Sequence, residues 1–234
     1  MYPEGTEQVY SNWTPRSNKY FPEATEGSVV FGIQYLIKEY LIKQFEKNFF
    51  NLPKKEAVEM FYRRVNNFVG IESVGYRHIE ALYDLGYLPI RIKALPEGSV
   101  CPIRVPMMTI TNTLPEFFWL TNYLETIISC TLWMPCTSAT RARLYKKELH
   151  RHACKTGFPT DVNLGFCCHD FSMRGMAGME AAIISGMTSF VGSETIPAIA
   201  ALEEYYGANS DEELIAATVP ATEHSVMCAG GGGR

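Results

Sequence analysis

The feature that most constrains the fold is an alternation of short apolar runs, polar turns and helical stretches over residues 164–225. The first apolar run, residues 164–169, leads into the polar turn Asp-Phe-Ser-Met-Arg-Gly, and residues 176–187 form a helical stretch rich in Ala, Gly, Met and Ile. Short apolar runs that alternate with helices predict a β-α-β-α-β arrangement with parallel strands. This part of the chain is therefore expected to be α/β.

The later strands of this pattern are predicted at residues 188–191 and 217–219, and the second helix at residues 196–206. The carboxyl ends of parallel strands share one edge, where α/β folds bind ligands. We therefore expect the functional site at this edge. Six polar residues fall at or just after the predicted strand ends: Asp170, Arg174, Glu194, Thr218, Glu223 and His224.

Residues 1–160 predict a mixed α+β domain. Apolar residues recur at helical spacing in five stretches, which are residues 29–50, 54–69, 75–85, 117–132 and 138–153. Alternating or proline-bounded runs predict short strands at residues 9–13, 89–94, 99–104 and 106–112. We therefore place a domain boundary near residue 160 and assign residues 161–234 to a second domain.

Composition excludes several classes of protein. The net charge of −4 argues against a general nucleic-acid-binding surface, and no apolar run reaches the length of a membrane span. The N-terminus has neither the basic nor the apolar region of a secretory signal. The seven cysteines form no CxxC pair, so we expect reduced thiols in a cytoplasmic protein.

Two groups of potential metal ligands have a simpler interpretation. His150, His152 and Cys154 follow one another at i,i+2 spacing on a predicted helix, and this spacing does not put neighbours on one face. The run Cys167, Cys168, His169 lacks the spacing of a ligand set and fits the end of a buried strand. We therefore predict no metal site. The basic stretch 138–153 is interpreted as a solvated helix face, with a phosphate or dimer role as the alternative.

Short motifs along nearly the whole chain resemble the nicotinamide phosphoribosyltransferase family, and specifically its phage and bacterial branch. Each motif is weak alone, but the motifs occur in family order, which makes the set specific. They are Tyr10, Ser11 and Arg16, then residues 31–35, 92–98, 119–126, 169–175 and 192–195, and finally residues 219–225.

The resemblance implies a fold and an activity. The fold is a helical and small-sheet N-terminal domain followed by the first part of an incomplete α/β-barrel of the type II phosphoribosyltransferase kind. The activity is transfer of phosphoribose from phosphoribosyl pyrophosphate to nicotinamide, which gives nicotinamide mononucleotide for NAD synthesis. The family implies a homodimer with a shared active site and no tightly bound cofactor. Phosphoribosyl pyrophosphate enters with Mg²⁺ as substrate, and coupling to ATP is left open.

The resemblance also implies roles for single residues. Phe171 matches the family's aromatic residue that stacks on the nicotinamide ring, and Arg174 matches an arginine near the amide and the phosphates. Glu194 falls where the family has Asp as acceptor for the amide NH₂ group, and an acid there favours nicotinamide over nicotinate. Glu is one methylene longer than Asp, and the segment between Arg174 and Glu194 is shorter than in the family.

Two residues of the last motif are predicted to be catalytic. His224 matches the family histidine that is phosphorylated when ATP hydrolysis is coupled to synthesis, and Glu223 is expected to orient its ring. Arg16 matches an arginine that reaches phosphate across the dimer interface. The predicted substrate-binding residues are Phe171, Arg174, Glu194, Asp170, Thr218, Val219 and Arg16.

The ends of the sequence suggest a partial barrel and leave two hypotheses. The sequence begins after the family's Asp-Ser-Tyr-Lys segment and ends before its Arg-Pro-Asp-Ser-Gly segment and phosphate-binding glycine loops. The terminal glycine run 230–233 is interpreted as a frayed or truncated end. The first hypothesis is an enzyme of this family that is present as a fragment or short form. The second is a non-catalytic remnant that binds nicotinamide or pairs with a full-length subunit. A nicotinate-specific transferase is a third reading, against which Glu194 argues.

Overall fold

The structure is a computed structural model that describes residues 2–70, 75–158, 160, 164–220 and 222–230. The chain divides into two compact units, Met1–Leu144 and Tyr145–Arg234. The domain boundary near residue 160 stays a prediction. Strands and helices occur in both units, which places the chain in the predicted α/β class.

The first unit contains a three-stranded antiparallel sheet with β5 in its centre. Ile92 of one edge strand and Ser11 of the other both pair with Ile110, which is buried. A separate two-stranded sheet is shorter than predicted for residues 99–104, because Pro102 lacks an N–H and starts a turn closed by Val105. The strands are β1 Tyr10–Trp13, β2 Ser28–Val29, β3 Ile90–Ala94, β4 Val100–Cys101 and β5 Met108–Asn112.

The predicted helix at residues 54–69 is confirmed with the same bounds, and the helices at residues 29–50 and 75–85 are confirmed with shifted starts. The first helix widens into π-type turns after Tyr35. None of the helices in the described ranges is long and apolar enough to cross a bilayer. The helical segments of this unit are α1 Ile33–Tyr35 with π-helical Leu36–Gln44 and Glu46–Phe50, α2 Lys54–Val69, α3 Arg77–Leu85, a 3₁₀ turn at Pro115–Phe117, α4 Leu120–Tyr123 and the first part of α5, which spans Glu125–Thr156.

The prediction of separate helices at residues 117–132 and 138–153 is wrong. Helix α5 runs unbroken through Pro135, although a proline inside a helix removes one backbone hydrogen bond. The surrounding packing explains this, because Pro135 is fully buried and a Cβ on Gly32 would lie 2.6 Å from its Cγ. Gly32 has φ +95°, which favours glycine. Close contact with the Gly32 backbone therefore retains Pro135 within the helix.

Two of the sequence motifs meet at the start of α1. The carboxylate of Glu97 accepts hydrogen bonds from the backbone N–H of Gly32 at 2.9 Å and of Gln34 at 2.7 Å. The first N–H groups of a helix have no partner within it, and the positive end of the helix dipole favours an anion. Glu97 therefore connects the 92–98 motif to the 31–35 motif as a structural cap.

We expect Glu97→Ala to lower the free energy of unfolding by about 2 kcal/mol, because two charge-assisted hydrogen bonds are lost. Urea denaturation of the chain measures this loss. Glu97→Gln keeps one acceptor and should lose less. Glu23 is an exposed loop glutamate, so Glu23→Ala serves as the control. Equal losses for Glu97→Ala and Glu23→Ala would contradict the capping role.

All seven cysteines are free thiols, as predicted. Cys101 and Cys136 are buried, whereas Cys130, Cys154 and others are exposed. Burial raises the pKa of the Cys136 thiol to about 11. This thiol is therefore kept protonated and unreactive at neutral pH.

The second unit contains the strand and helix alternation that the sequence predicts. The prediction of a strand over residues 164–169 is wrong for most of its length, because Leu164–Phe166 forms a 3₁₀ turn with Leu164 buried. A short apolar run fits a buried turn as well as a strand. The elements are β6 His169–Asp170, a 3₁₀ turn at Met173–Gly175, α6 Met179–Thr188, β7 Gly192–Ser193, α7 Ile196–Tyr206 and α8 His224–Gly230.

Candidate functional site

The candidate site lies at the carboxyl edge of a small parallel sheet in the second unit. Strand β6 pairs with β7, and Gly192 of β7 also forms a parallel bridge with Ala217. The Ser193 N–H donates to the Ala217 carbonyl at 2.9 Å, and the Ala217 N–H donates to the Val191 carbonyl at 2.8 Å. The strand predicted at residues 188–191 is displaced to Gly192–Ser193, and that at residues 217–219 is reduced to the bridge at Ala217. The predicted order of three parallel segments is confirmed.

Phe171 follows β6 directly and presents its ring at this edge. The residue is 48% exposed, which is unusual for a phenylalanine beside a sheet. The centroids of the His169 and Phe171 rings are 5.9 Å apart, and the interplanar angle is 30°. The His169 ring therefore stacks against part of one face of the Phe171 ring. A large exposed aromatic ring at a strand end can stack on a flat heteroaromatic ligand.

The position of His169 depends on Gly192 in the neighbouring strand. A Cβ on Gly192 would lie 2.9 Å from Cγ and Cδ2 of His169 and 2.6 Å from the Cys168 carbonyl oxygen. The imidazole therefore lies directly on the β7 backbone. Its Nε2 is buried and has no hydrogen-bond partner among the described residues.

Asp170 is buried, with 8% of its surface exposed, and its carboxylate is bound by protein donors. Oδ1 accepts the Ser172 backbone N–H at 2.9 Å, and Oδ2 accepts the Ser185 hydroxyl at 3.1 Å. The Asp170 carbonyl accepts the Glu194 N–H at 3.1 Å. Asp170 therefore connects the turn that carries Phe171 to the end of β7 that carries Glu194.

The two other predicted residues near these strand ends differ in exposure. Arg174 is exposed within the 3₁₀ turn Met173–Gly175, and Glu194 is half-buried directly after β7. An exposed guanidinium offers donors in a fork that fits phosphate or an amide oxygen. Thr218 and Val219 are exposed just past the Ala217 bridge, so they lie at the third position along the same edge.

Glu223 and His224 lie at the start of α8, and both are exposed. The Glu223 carbonyl accepts the Met227 N–H at 3.0 Å, which places Glu223 at the first turn of the helix. Ala221 lies outside the described residues. The roles given to Glu223 and His224 stay predictions.

Arg16 belongs to the first unit, where it is exposed in the loop after β1. It lines a cleft of about 250 Å³ together with Ser11, Trp13, Glu125 and Ser129. Its expected role toward phosphate stays a prediction.

Sequence reasoning missed two features of the second unit. Ser185 hydrogen-bonds Asp170 from fifteen residues away, and only its polarity within an apolar helix could have indicated it. His150 and Cys154 share a helix face at spacing i,i+4, with Nδ1 and Sγ 3.7 Å apart, although the i,i+2 spacing within the set His150, His152 and Cys154 predicts no shared face. Within the described ranges, no group of three potential metal ligands is present.

Comparisons with known proteins agree with the family resemblance that the motifs indicate. No family model matches the chain. The chain is 47% identical over 236 residues to a protein of Acinetobacter baylyi named nicotinamide phosphoribosyltransferase. The alignment covers 98% of this chain and 46% of that protein. A protein of the same name from Xanthomonas campestris pv. campestris is 28% identical over 234 residues, or 99% of this chain and 46% of that protein.

A solved structure supports the fold. The human nicotinic acid phosphoribosyltransferase superposes with a TM-score of 0.59 at 16% identity, over 96% of this chain and 37% of that chain. At this identity the likeness concerns the fold alone.

Together these observations define an α/β protein whose fold is similar to that of a solved phosphoribosyltransferase structure. More particularly, the chain is homologous to proteins named nicotinamide phosphoribosyltransferase, and the resemblance stated from the motifs is confirmed. The chain spans about half the length of the curated relatives that it matches.

Proposed function

We propose that this chain carries the base-recognition part of a nicotinamide phosphoribosyltransferase of NAD salvage. The observation that carries the proposal is the exposed Phe171 ring at a sheet edge that also presents Glu194 after the neighbouring strand. The 47% identity to a protein with this name supports the same substrate class.

The proposed reaction is a substitution at the anomeric carbon of phosphoribosyl pyrophosphate. The lone pair of the nicotinamide ring nitrogen forms the new C–N bond, and the C–O bond to the diphosphate breaks. The electron pair leaves with pyrophosphate, which enters as a complex with Mg²⁺ as part of the substrate. The products are nicotinamide mononucleotide and pyrophosphate.

In this proposal the protein side chains hold the base and balance charge. Phe171 stacks on the pyridine ring and fixes its plane. The Glu194 carboxylate accepts a hydrogen bond from the amide NH₂ group of nicotinamide and repels the carboxylate of nicotinate. Arg174 binds the amide oxygen or a phosphate oxygen with its paired donors.

The remaining predicted residues have supporting roles in the proposal. His224 is the site of phosphorylation if ATP is coupled, and Glu223 orients its imidazole. Asp170 supports the turn that carries Phe171, Thr218 and Val219 belong to the walls of the base site, and Arg16 binds phosphate in a homodimer with a shared active site. A partial α/β-barrel and a cytoplasmic location complete the proposal, supported by the parallel β6 and β7 pair and by the free thiols.

Binding of the base is the direct test. Saturation-transfer NMR on the 234-residue chain should show binding of nicotinamide and weaker binding of nicotinate. Absence of nicotinamide binding, or equal binding of the two bases, would overturn the proposal. Mass-spectrometric detection of nicotinamide mononucleotide after addition of phosphoribosyl pyrophosphate and Mg²⁺ then tests transfer. Binding without product would limit this chain to recognition, as the remnant hypothesis expects.

Glu194→Gln should reduce the preference for nicotinamide over nicotinate by about tenfold, because the repulsion of a second carboxylate is removed. Competition titrations of the two bases measure this ratio. Glu213 is exposed in the same unit and is the control position, so Glu213→Gln should leave the ratio unchanged. An unchanged ratio in Glu194→Gln would exclude Glu194 from the amide site.

A further inference from the structure

The residues on both sides of Phe171 are held by one partly buried hydrogen-bond network. Asp170 precedes Phe171 and Ser172 follows it, and the Ser172 N–H donates to Asp170 Oδ1 at 2.9 Å. The turn is therefore closed around Phe171 by its two neighbours. This local contact fixes the direction in which the Phe171 side chain leaves the backbone.

Ser185 of α6 anchors this turn to the body of the unit. Its hydroxyl lies 3.1 Å from Asp170 Oδ2 and 3.2 Å from the Ser172 hydroxyl. A hydroxyl carries one hydrogen, and the carboxylate can only accept, so Ser185 donates to Asp170. The Ser172 hydroxyl therefore donates to Ser185. The three side chains form a directed chain that ends on the buried carboxylate.

The same residue also fixes the neighbouring strand end. The Asp170 carbonyl accepts the Glu194 N–H at 3.1 Å, so one residue receives donors from the turn, from α6 and from the end of β7. Both carboxylate oxygens of Asp170 already have protein donors, and only 8% of the residue is exposed. These bonds fit a role in which Asp170 positions neighbouring residues better than a role in which it contacts a ligand.

We propose that Asp170 and Ser185 are positioning residues for base recognition, which hold Phe171 and Glu194 at a fixed spacing, and that Asp170 does not contact the substrate. The inference rests on the proposed function, because it concerns the same nicotinamide site. It reassigns Asp170, which the sequence placed among the substrate-binding residues. It adds Ser185, which no motif indicated.

The test compares Ser185→Ala with Ser185→Thr, which keeps the hydroxyl. Loss of one hydrogen bond to a buried carboxylate should weaken nicotinamide binding about tenfold in Ser185→Ala, and Ser185→Thr should recover most of it. Amide hydrogen exchange provides a second readout, because the Ser172 and Glu194 N–H groups should exchange faster in Ser185→Ala. Ser189, at the end of the same helix, is the matched control, and Ser189→Ala should bind as the wild type does.

Asp170→Asn tests whether binding depends on the hydrogen bonds of this side chain or on its negative charge, because Asn can keep the hydrogen bonds but is uncharged. The Asn side chain can accept the Ser172 N–H and donate to Ser185, so nicotinamide binding should stay within about threefold of the wild type. Asp170→Ala should weaken binding at least as much as Ser185→Ala. Equal losses in Asp170→Asn and Asp170→Ala would show that the charge itself is used and would overturn the inference.

The outcomes distinguish this inference from the proposed function. If the wild-type chain binds no nicotinamide, the proposed function fails and this inference fails with it. If the wild type binds and Ser185→Ala binds within twofold of it, the inference alone is overturned. Equal weakening in Ser185→Ala and Ser189→Ala would also overturn it, because the loss would then reflect general destabilisation.

Discussion

Phe171→Ala is expected to weaken nicotinamide binding about thirtyfold, because the loss of ring stacking and of buried apolar contact together removes about 2 kcal/mol. Phe171 is 48% exposed in the free chain, so its exposed area is available to cover a ligand. Truncation of such a side chain removes ligand contacts without opening a large cavity in the core. Isothermal titration of the chain with nicotinamide measures the change.

Two controls define this experiment. Phe171→Tyr keeps the aromatic face and should bind nearly as the wild type does. Phe158 is 46% exposed in the same unit, so Phe158→Ala removes a ring of matched exposure and should leave binding unchanged. The affinity for phosphoribosyl pyrophosphate, measured by the same titration, should change little in Phe171→Ala. Equal losses of affinity for the base and for phosphoribosyl pyrophosphate would contradict a stacking role.

Local patterns predict the helices of the chain well. The spacing of apolar residues gives α2 at Lys54–Val69, and Gly70 and Gly86 end α2 and α3 in the left-handed conformation that glycine favours. These signals lie within one turn of the element that they define. A sequence window therefore contains all the information that the boundary needs.

Elements that depend on distant packing were predicted less well. Pro135 suggests a break in α5, but its close contact with the Gly32 backbone, about a hundred residues away in sequence, keeps the helix continuous. Residues 164–169 suggest a strand, but Leu164 is buried within a tight turn. In both cases tertiary contacts decide between conformations that the local sequence leaves close in energy.

The placement of several candidate residues at one edge can be predicted from the sequence, because parallel strands impose a shared edge. Phe171, Glu194 and Thr218 each follow a parallel segment, as the alternation predicted, although the strands are shorter than expected. The hydrogen bonds of Asp170 could not be predicted in the same way. They depend on the rotation of α6, which brings Ser185 rather than its neighbours to the carboxylate.

Strands β6 and β7 approach each other closely at Gly192, so we expect Gly192→Ala to lower the free energy of unfolding strongly. A Cβ at this position would lie 2.6 Å from the Cys168 carbonyl oxygen and 2.9 Å from the His169 ring, so the two strands must separate. Overpacking of this kind costs about 1–3 kcal/mol of unfolding free energy, and here it acts on backbone atoms that cannot rotate away. We expect a loss of about 3 kcal/mol in urea denaturation.

Nicotinamide binding should be lost in the same variant, because Gly192 pairs with His169 and lies close in sequence to Glu194, and Phe171 and Glu194 are the residues proposed to recognise the base. Displacement of His169 removes the support of the Phe171 ring, and separation of the strands breaks the Glu194 N–H bond to the Asp170 carbonyl. Gly178→Ala is the matched control, since a Cβ there meets no atom within 4 Å. A Gly192→Ala chain that binds nicotinamide like the wild type would show that base recognition does not depend on the β6 and β7 pairing. A variant that remains as stable as the wild type but loses binding would instead assign to Gly192 a role in the site alone.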